Sequence, residues 1–151
     1  MNYIKEAENV LWYYNNIFNS LENLDRQINA LIRSQGPKDI TAVSLDQTGV
    51  RSGRVDNTEN MLYALKVLRD CKNESLLALD EADKLLQQIS VERGCESYGR
   101  VLRLWYIEKW HKDDIATEIG YAHKKDVYRI KERAIEKFAV NYFGIKALNV
   151  V

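Results

Sequence analysis

Apolar residues recur at helical spacing along most of the chain. Between residues 2 and 33 the intervals alternate between three and four residues, which is the a/d pattern of a heptad repeat. The stripe comprises Tyr14, Ile17, Leu21, Leu24, Ile28 and Leu31. This pattern predicts one amphipathic helix. A helix of about 30 residues is roughly 45 Å long at 1.5 Å per residue, so it needs a partner helix.

A second stripe predicts that partner, from near Asn57 or Thr58, either of which can cap a helix, to about residue 91. Its members are Met61, Leu65, Leu68, Leu79, Ala82, Leu86 and Ile89. Two polar residues interrupt it and two leucines offer a shifted apolar face: Lys72, Ser75, Leu76 and Leu77. We therefore expect two long helices in an antiparallel, coiled-coil-like hairpin.

The segment between the two stripes, residues 34–57, has no sustained apolar period and is rich in turn-forming residues. It predicts a mobile loop of about 20 residues, a length that is unusual inside a packed domain. Gly94 ends the second helix in this interpretation. The sequence thus predicts a hairpin domain over residues 1–93 and a second domain over residues 94–151.

Three shorter helical patterns follow in the second domain. The first runs from about residue 96 to 108, and the second, DDIATEI, ends at Gly120. The third runs from about His123 to Val140, with a core stripe at Val127, Ile130, Ala134, Ile135 and Phe138. A short helix, a turn with glycine and a longer helix are typical of a helix-turn-helix unit. The predicted fold class is therefore all-α, with an N-terminal hairpin and a C-terminal three-helix domain.

Charge is divided unequally between the two domains. The chain has 22 basic and 22 acidic residues, but residues 1–92 hold 10 basic and 14 acidic ones, and the remainder holds 12 and 8. The basic excess favours a polyanion partner for the second domain. The third helix carries the candidate DNA contacts: His123, Lys125, Asp126 and Arg129 for base edges, Lys124, Arg133 and Lys137 for phosphates, and Tyr128 beside them. The alternative is a solvated helix face with i,i+4 ion pairs.

Residues 102–138 resemble region 4 of bacterial sigma-70-type factors. The matching pieces are Tyr106-Ile107, Asp113-Asp114-Ile115-Ala116, Ile119-Gly120-Tyr121, Val127-Tyr128-Arg129 and Ala134-Ile135. The preceding helices are similar in architecture to small sigma-70-region-4-like transcriptional regulators of phages and prophages, near the ArpU and RinA groups. The resemblance implies a helix-turn-helix that binds promoter DNA near a −35-like element. Nothing in the chain matches the other regions of a complete sigma factor.

Two positions depart from that family pattern. Ala122 and His123 stand where the family often has a Ser or Thr that caps the recognition helix. The loop before the short helix often contains a glycine, and here it reads Glu108-Lys109-Trp110. The first departure implies a weaker cap, worth about 1 kcal/mol, and the second an altered loop conformation.

Other chemistry finds no support in the sequence. There is no Gly-rich phosphate loop and no HExxH, GxSxG or CxxC motif, so we expect neither an enzyme nor a cofactor or metal. Asp113 and Asp114 fit a helix start better than a metal site. Cys71 and Cys95 are expected to be free thiols in a reducing cytoplasm. No apolar run spans a bilayer and no signal peptide is visible, so a cytoplasmic location in a bacterial host is expected.

The sequence therefore predicts a DNA-binding transcriptional regulator whose partner is double-stranded DNA. The N-terminal helices would form a homodimer or contact RNA polymerase. One alternative is a phage DNA-packaging component similar to a small terminase subunit, which would form a ring. Another is a module that binds polymerase through the hairpin and never contacts DNA.

Overall fold

The computed structural model describes residues 1–34, 51–121 and 123–149, and these residues are helical without a β-strand. The predicted all-α class is confirmed. The α-helices are α1 (Tyr3–Trp12), α2 (Tyr14–Ser34), α3 (Arg51–Gln88), α4 (Tyr98–Leu102), α5 (Lys112–Ile119) and α6 (Lys124–Phe143). A π-helical turn, Arg103–Ile107, follows α4, and a 3₁₀ helix, Gly144–Asn149, follows α6.

The single N-terminal helix predicted over residues 2–33 is wrong in one respect, because Tyr13 separates α1 from α2. Tyr13 has φ −91° and ψ 5°, outside the α-helical range. Two contacts with the later chain lie close to Tyr13: Lys109 Nζ donates to the Trp12 carbonyl at 3.2 Å, and Asn15 Nδ2 donates to the Ile107 carbonyl at 2.7 Å.

The helix α3 begins at Arg51, earlier than the start predicted near Asn57. Gly53 lies in its first turn, where a glycine interrupts less of the hydrogen-bond ladder than in a helix interior. Arg51 and Arg54, predicted to lie in a loop, are therefore helical residues. The rest of the predicted loop, residues 35–50, lies outside the described residues.

The first of two compact units comprises Met1–Ile17 together with Ala78–Val151. Its main core joins residues of α1 and the end of α3 to the C-terminal helices: Ala7, Leu11, Ala82, Leu85, Leu86, Ile89, Leu102, Tyr106, Ile107, Ala134, Ile135, Phe138, Ala139 and Ala147. Residues that the sequence assigns to the hairpin domain thus contribute to one core with residues beyond Gly94. Gly99 lies against the Leu86 carbonyl, so α4 approaches the end of α3 more closely than a β-carbon would allow.

The second unit comprises Phe18–Leu77. The predicted stripes form its least exposed face, with Ile28 on α2 and Leu65 on α3 each 8% exposed. Lys72, which interrupts the second stripe, pairs with Asp25 at 2.6 Å and so joins the two helices. The prediction of a shifted apolar packing face is wrong, because Leu76 and Leu77 are both exposed.

Candidate nucleic-acid interface

A tight turn connects α5 to α6. Gly120 ends α5 with φ 83°, a left-handed conformation that glycine adopts without a steric penalty. The Tyr121 amide donates to the Ala116 carbonyl at 2.9 Å and closes the end of the helix. His123 precedes the first residue of α6, and Ala122 lies outside the described residues. The helix α6 begins at Lys124, one residue after the start predicted near His123.

A small apolar cluster fixes α5 against α6 and the π-helical turn. It consists of the buried residues Leu104, Ile115, Ala116 and Val127. Ile119 is partly buried against this cluster. This packing determines which side of α6 faces solvent.

The outward side of α6 carries exposed cations. Lys125, Arg129 and Arg133 are all exposed, and no carboxylate oxygen of the described residues lies within 4.0 Å of their side-chain nitrogens. Among its described residues, α6 therefore forms no i,i+4 ion pair of the kind that the alternative interpretation requires. Basic groups without acidic partners remain available for an anion.

The other predicted contacts near the start of α6 are partly engaged. Lys124 Nζ lies 4.0 Å from Asp113 Oδ1. The ring of Tyr128 packs edge-on against Trp105, with 5.0 Å between ring centroids. Asp126 is half-buried and its amide donates to the His123 carbonyl at 3.1 Å. The exposed His123 side chain makes no capping hydrogen bond, consistent with the weaker cap that the sequence implies.

Lys137 lies apart from these residues. It is about 20 Å further along α6 than Lys124, at 1.5 Å per residue. It forms an ion pair with Glu92, and its Nζ lies 3.5 Å from Cys95 Sγ. The hydrogen bond to Glu92 raises the pKa of Lys137 above its ordinary value. Its charge is thus already partnered within the first unit, unlike those of Lys125 and Arg129.

The sequence analysis did not identify a second group of basic residues, which lies around Trp105. Lys112 Nζ and Lys131 Nζ each lie 5.0 Å from the centroid of the Trp105 ring. The π-helical turn that contains Trp105 has no signature in the apolar spacing, since the same residues also fit an α-helix. The signal that could have found this group is the clustering of lysines on either side of the short helix.

The loop before α5 contains a residue with a left-handed backbone conformation. Lys109 has φ 54°, and it is the one non-glycine residue with positive φ in the described part of the chain. It occupies the loop where the sigma-like pattern often has a glycine. Its Nζ lies 4.4 Å from the centroid of the Trp12 ring, in addition to its hydrogen bond to the Trp12 carbonyl. These contacts help to hold a conformation that a lysine rarely adopts.

The described residues contain neither a metal site nor a membrane-spanning helix. No group of three or more His, Cys, Asp or Glu residues there is arranged to hold a metal ion. None of the described helices has the length and apolarity needed to cross a membrane. Cys71 and Cys95 are free thiols.

Comparison of the chain with protein-family models, with curated proteins and with solved structures gives no match.

Proposed function

We propose that the protein is a sequence-specific DNA-binding transcriptional regulator of the phage or prophage type. The observation that carries this proposal is the position of Lys125, Arg129 and Arg133 on α6, which follows a turn from α5: all three are exposed, and none has an acidic partner within 4.0 Å among the described residues. A helix of this kind fits the major groove of B-DNA, which is about 12 Å wide. The resemblance to sigma region 4 adds promoter DNA as the expected target.

In this proposal, different residues of α6 contact base edges and phosphates. Lys125 and Arg129 donate hydrogen bonds to base edges, and His123 adds a further polar contact at the start of the helix. Arg133, one turn beyond Arg129, donates to a phosphate. Lys124 shares its charge with Asp113 and contributes less. Lys137 is left out of the proposed interface because Glu92 already neutralises it.

We further propose that the second unit dimerises the protein. Several large apolar side chains of this unit are exposed: Phe18, Ile32, Leu62, Tyr63, Val67, Leu76 and Leu77. An apolar surface of this kind favours a protein partner. A second copy doubles the DNA contacts, and linking two weak contacts raises affinity through effective concentration. RNA polymerase is the other candidate partner of this surface.

The proposal is tested by selecting DNA from a random library at physiological salt. We expect one enriched sequence, present as a repeat if the protein is a dimer. Lys125→Ala with Arg129→Ala should weaken binding to that sequence at least tenfold, since each base contact contributes about 1–3 kcal/mol. The matched control is Lys5→Ala with Arg93→Ala, which removes the same charge from two exposed residues outside α6. Equal losses in both double variants would contradict the assignment of α6.

Molar mass in solution separates the remaining candidates. A dimer supports the regulator, and Leu62→Glu with Leu77→Glu should convert it to a monomer. A ring of eight or more copies would favour the packaging protein. Retention on RNA polymerase without salt-sensitive binding to duplex DNA would favour the polymerase-binding module.

A further inference from the structure

The π-helical turn presents one aromatic ring at the junction of three helical elements. The Glu108 amide donates to the Arg103 carbonyl at 2.9 Å, a hydrogen bond that spans five residues. Within this turn Leu104, Tyr106 and Ile107 are buried, whereas Trp105 is only half-buried. The Trp105 ring therefore remains accessible beside the start of α5 and one face of α6.

Two ammonium groups converge on this ring. Lys112 is the first residue of α5 and Lys131 lies near the middle of α6, yet each Nζ is 5.0 Å from the same centroid. The two nitrogens are therefore separated by no more than about 10 Å, which is one Debye length at 0.1 M salt. At or below this distance the two positive charges repel each other, and an anion close to both would offset the repulsion.

Neither lysine forms an ion pair with a described residue. No carboxylate oxygen there lies within 4.0 Å of Lys112 or Lys131. Asp113, adjacent to Lys112 in sequence, instead lies within 3.3 Å of His111 and 4.0 Å of Lys124. The aromatic ring steadies both lysines without neutralising them.

We propose that Lys112 and Lys131 together bind one phosphodiester group of the DNA backbone, with Trp105 holding both side chains in position. This inference rests on the proposed function and adds a site outside the predicted contacts. Lysine binds phosphate as a point charge, and contacts to the backbone fix the register of a protein on the duplex. Tyr128, whose ring also contacts Trp105, is partly exposed and provides a hydroxyl donor at the edge of this site.

The test measures binding to the selected DNA and to a random duplex over a range of salt concentrations. Lys112→Ala with Lys131→Ala should make the negative slope of log K, where K is the DNA-binding constant, against log salt concentration less steep by about 1, as expected for one lost phosphate contact. Affinity should fall by a similar factor for both duplexes, and the selected sequence should not change. By contrast, Lys125→Ala with Arg129→Ala should reduce the preference for the selected duplex.

Two further double variants make the result specific. Lys112→Arg with Lys131→Arg retains both charges and should restore the salt slope. Lys5→Ala with Lys146→Ala removes two exposed lysines elsewhere and should leave the slope unchanged. If the parent protein binds DNA and the Lys112/Lys131 variant retains its slope, this inference is overturned and the proposed function stands. If the parent binds no duplex DNA, both are overturned.

Discussion

The two compact units bury their apolar residues to different extents. In the first unit Phe138, Leu11 and Ile89 are almost completely buried in one core. In the described part of the second unit, Ile28 and Leu65 are the two nearly buried apolar residues, whereas Phe18, Tyr63 and Leu77 are more than half exposed. The first unit is therefore stabilised by the apolar core that its own residues form. The described part of the second unit leaves large apolar side chains exposed to solvent.

The largest expected contrast is between a core residue of the first unit and an exposed leucine of the second. Phe138→Ala should lower the free energy of unfolding by about 3–5 kcal/mol, since it opens a cavity among close-packed residues. Leu77→Ala should change it by only about 0.5 kcal/mol in the monomer. Denaturant unfolding at a concentration that keeps the chain monomeric measures both. Similar losses in the two variants would break the comparison.

The close approach of α3 and α4 gives the next largest effect within the first unit. Gly99→Ala forces a β-carbon against the Leu86 carbonyl and the Ser90 hydroxyl, and should cost about 1–3 kcal/mol. Ser97→Ala is a matched control, because Ser97 makes no capping hydrogen bond at the start of α4. Thermal unfolding should separate the two variants. An unchanged Tm for Gly99→Ala would mean that the helices can move apart freely.

A pH dependence should distinguish the buried phenol of the first unit from an exposed one of the second. Burial, and then the 2.8 Å hydrogen bond to Glu8, raise the pKa of Tyr106 above its ordinary value of 10.0. The neutral phenol therefore contributes stability that is present below pH 10.0 and is lost as the pH rises above it. Tyr106→Phe should cost about 1 kcal/mol at neutral pH.

The difference in free energy of unfolding between the parent and Tyr106→Phe should become smaller in alkaline solution. The parent then loses the contribution of the neutral phenol, which the phenylalanine variant lacks at every pH. Tyr63→Phe, at an exposed position of the second unit, should change stability little. Denaturant unfolding from pH 7 to 11 checks this pair. A constant gap between the parent and Tyr106→Phe would show that the phenol is not held neutral by its surroundings.

The smallest expected effect concerns the left-handed Lys109 in the first unit. Both Lys109→Gly and Lys109→Ala remove the contacts to Trp12, but only alanine keeps the steric cost of positive φ. The glycine variant should therefore be more stable than the alanine variant by about 1 kcal/mol. At exposed Lys66, inside α3, the same pair should rank in the opposite order. Alanine being the better residue at both positions would argue against the left-handed conformation.

Apolar spacing was a reliable guide where a helix has one buried side. The stripes of α2 and α3, the short helix α5 and its glycine end, and the core stripe of α6 were all predictable, because each depends on local sequence. The break at Tyr13 was not predictable from local sequence. The residues that contact Trp12 and Asn15 on either side of it, Lys109 and Ile107, are far away in sequence. The start of α3 at Arg51 was not predicted, because the turn-forming residues before Asn57 indicated a loop.

The candidate interface was predictable only in part. Charge and spacing identified the exposed Lys125 and Arg129, and these are without acidic partners in the described structure. Nothing in the sequence indicated that Glu92 pairs with Lys137, because 45 residues separate them. The convergence of two lysines on Trp105 depends on the π-helical turn, whose hydrogen-bond pattern leaves no trace in the apolar period.

The order of the compact units along the chain has a consequence for how this protein can vary. The first unit is interrupted between Ile17 and Ala78, and the second is inserted there. A cut at Gly94 would deprive the C-terminal helices of Leu11 and Ile89, so they should not fold as a free fragment. Matched deletions of one heptad from α2 and one from α3 would leave that core complete. Changes of length should therefore be tolerated best in the inserted segment, whereas a cut elsewhere should disrupt the core of the first unit.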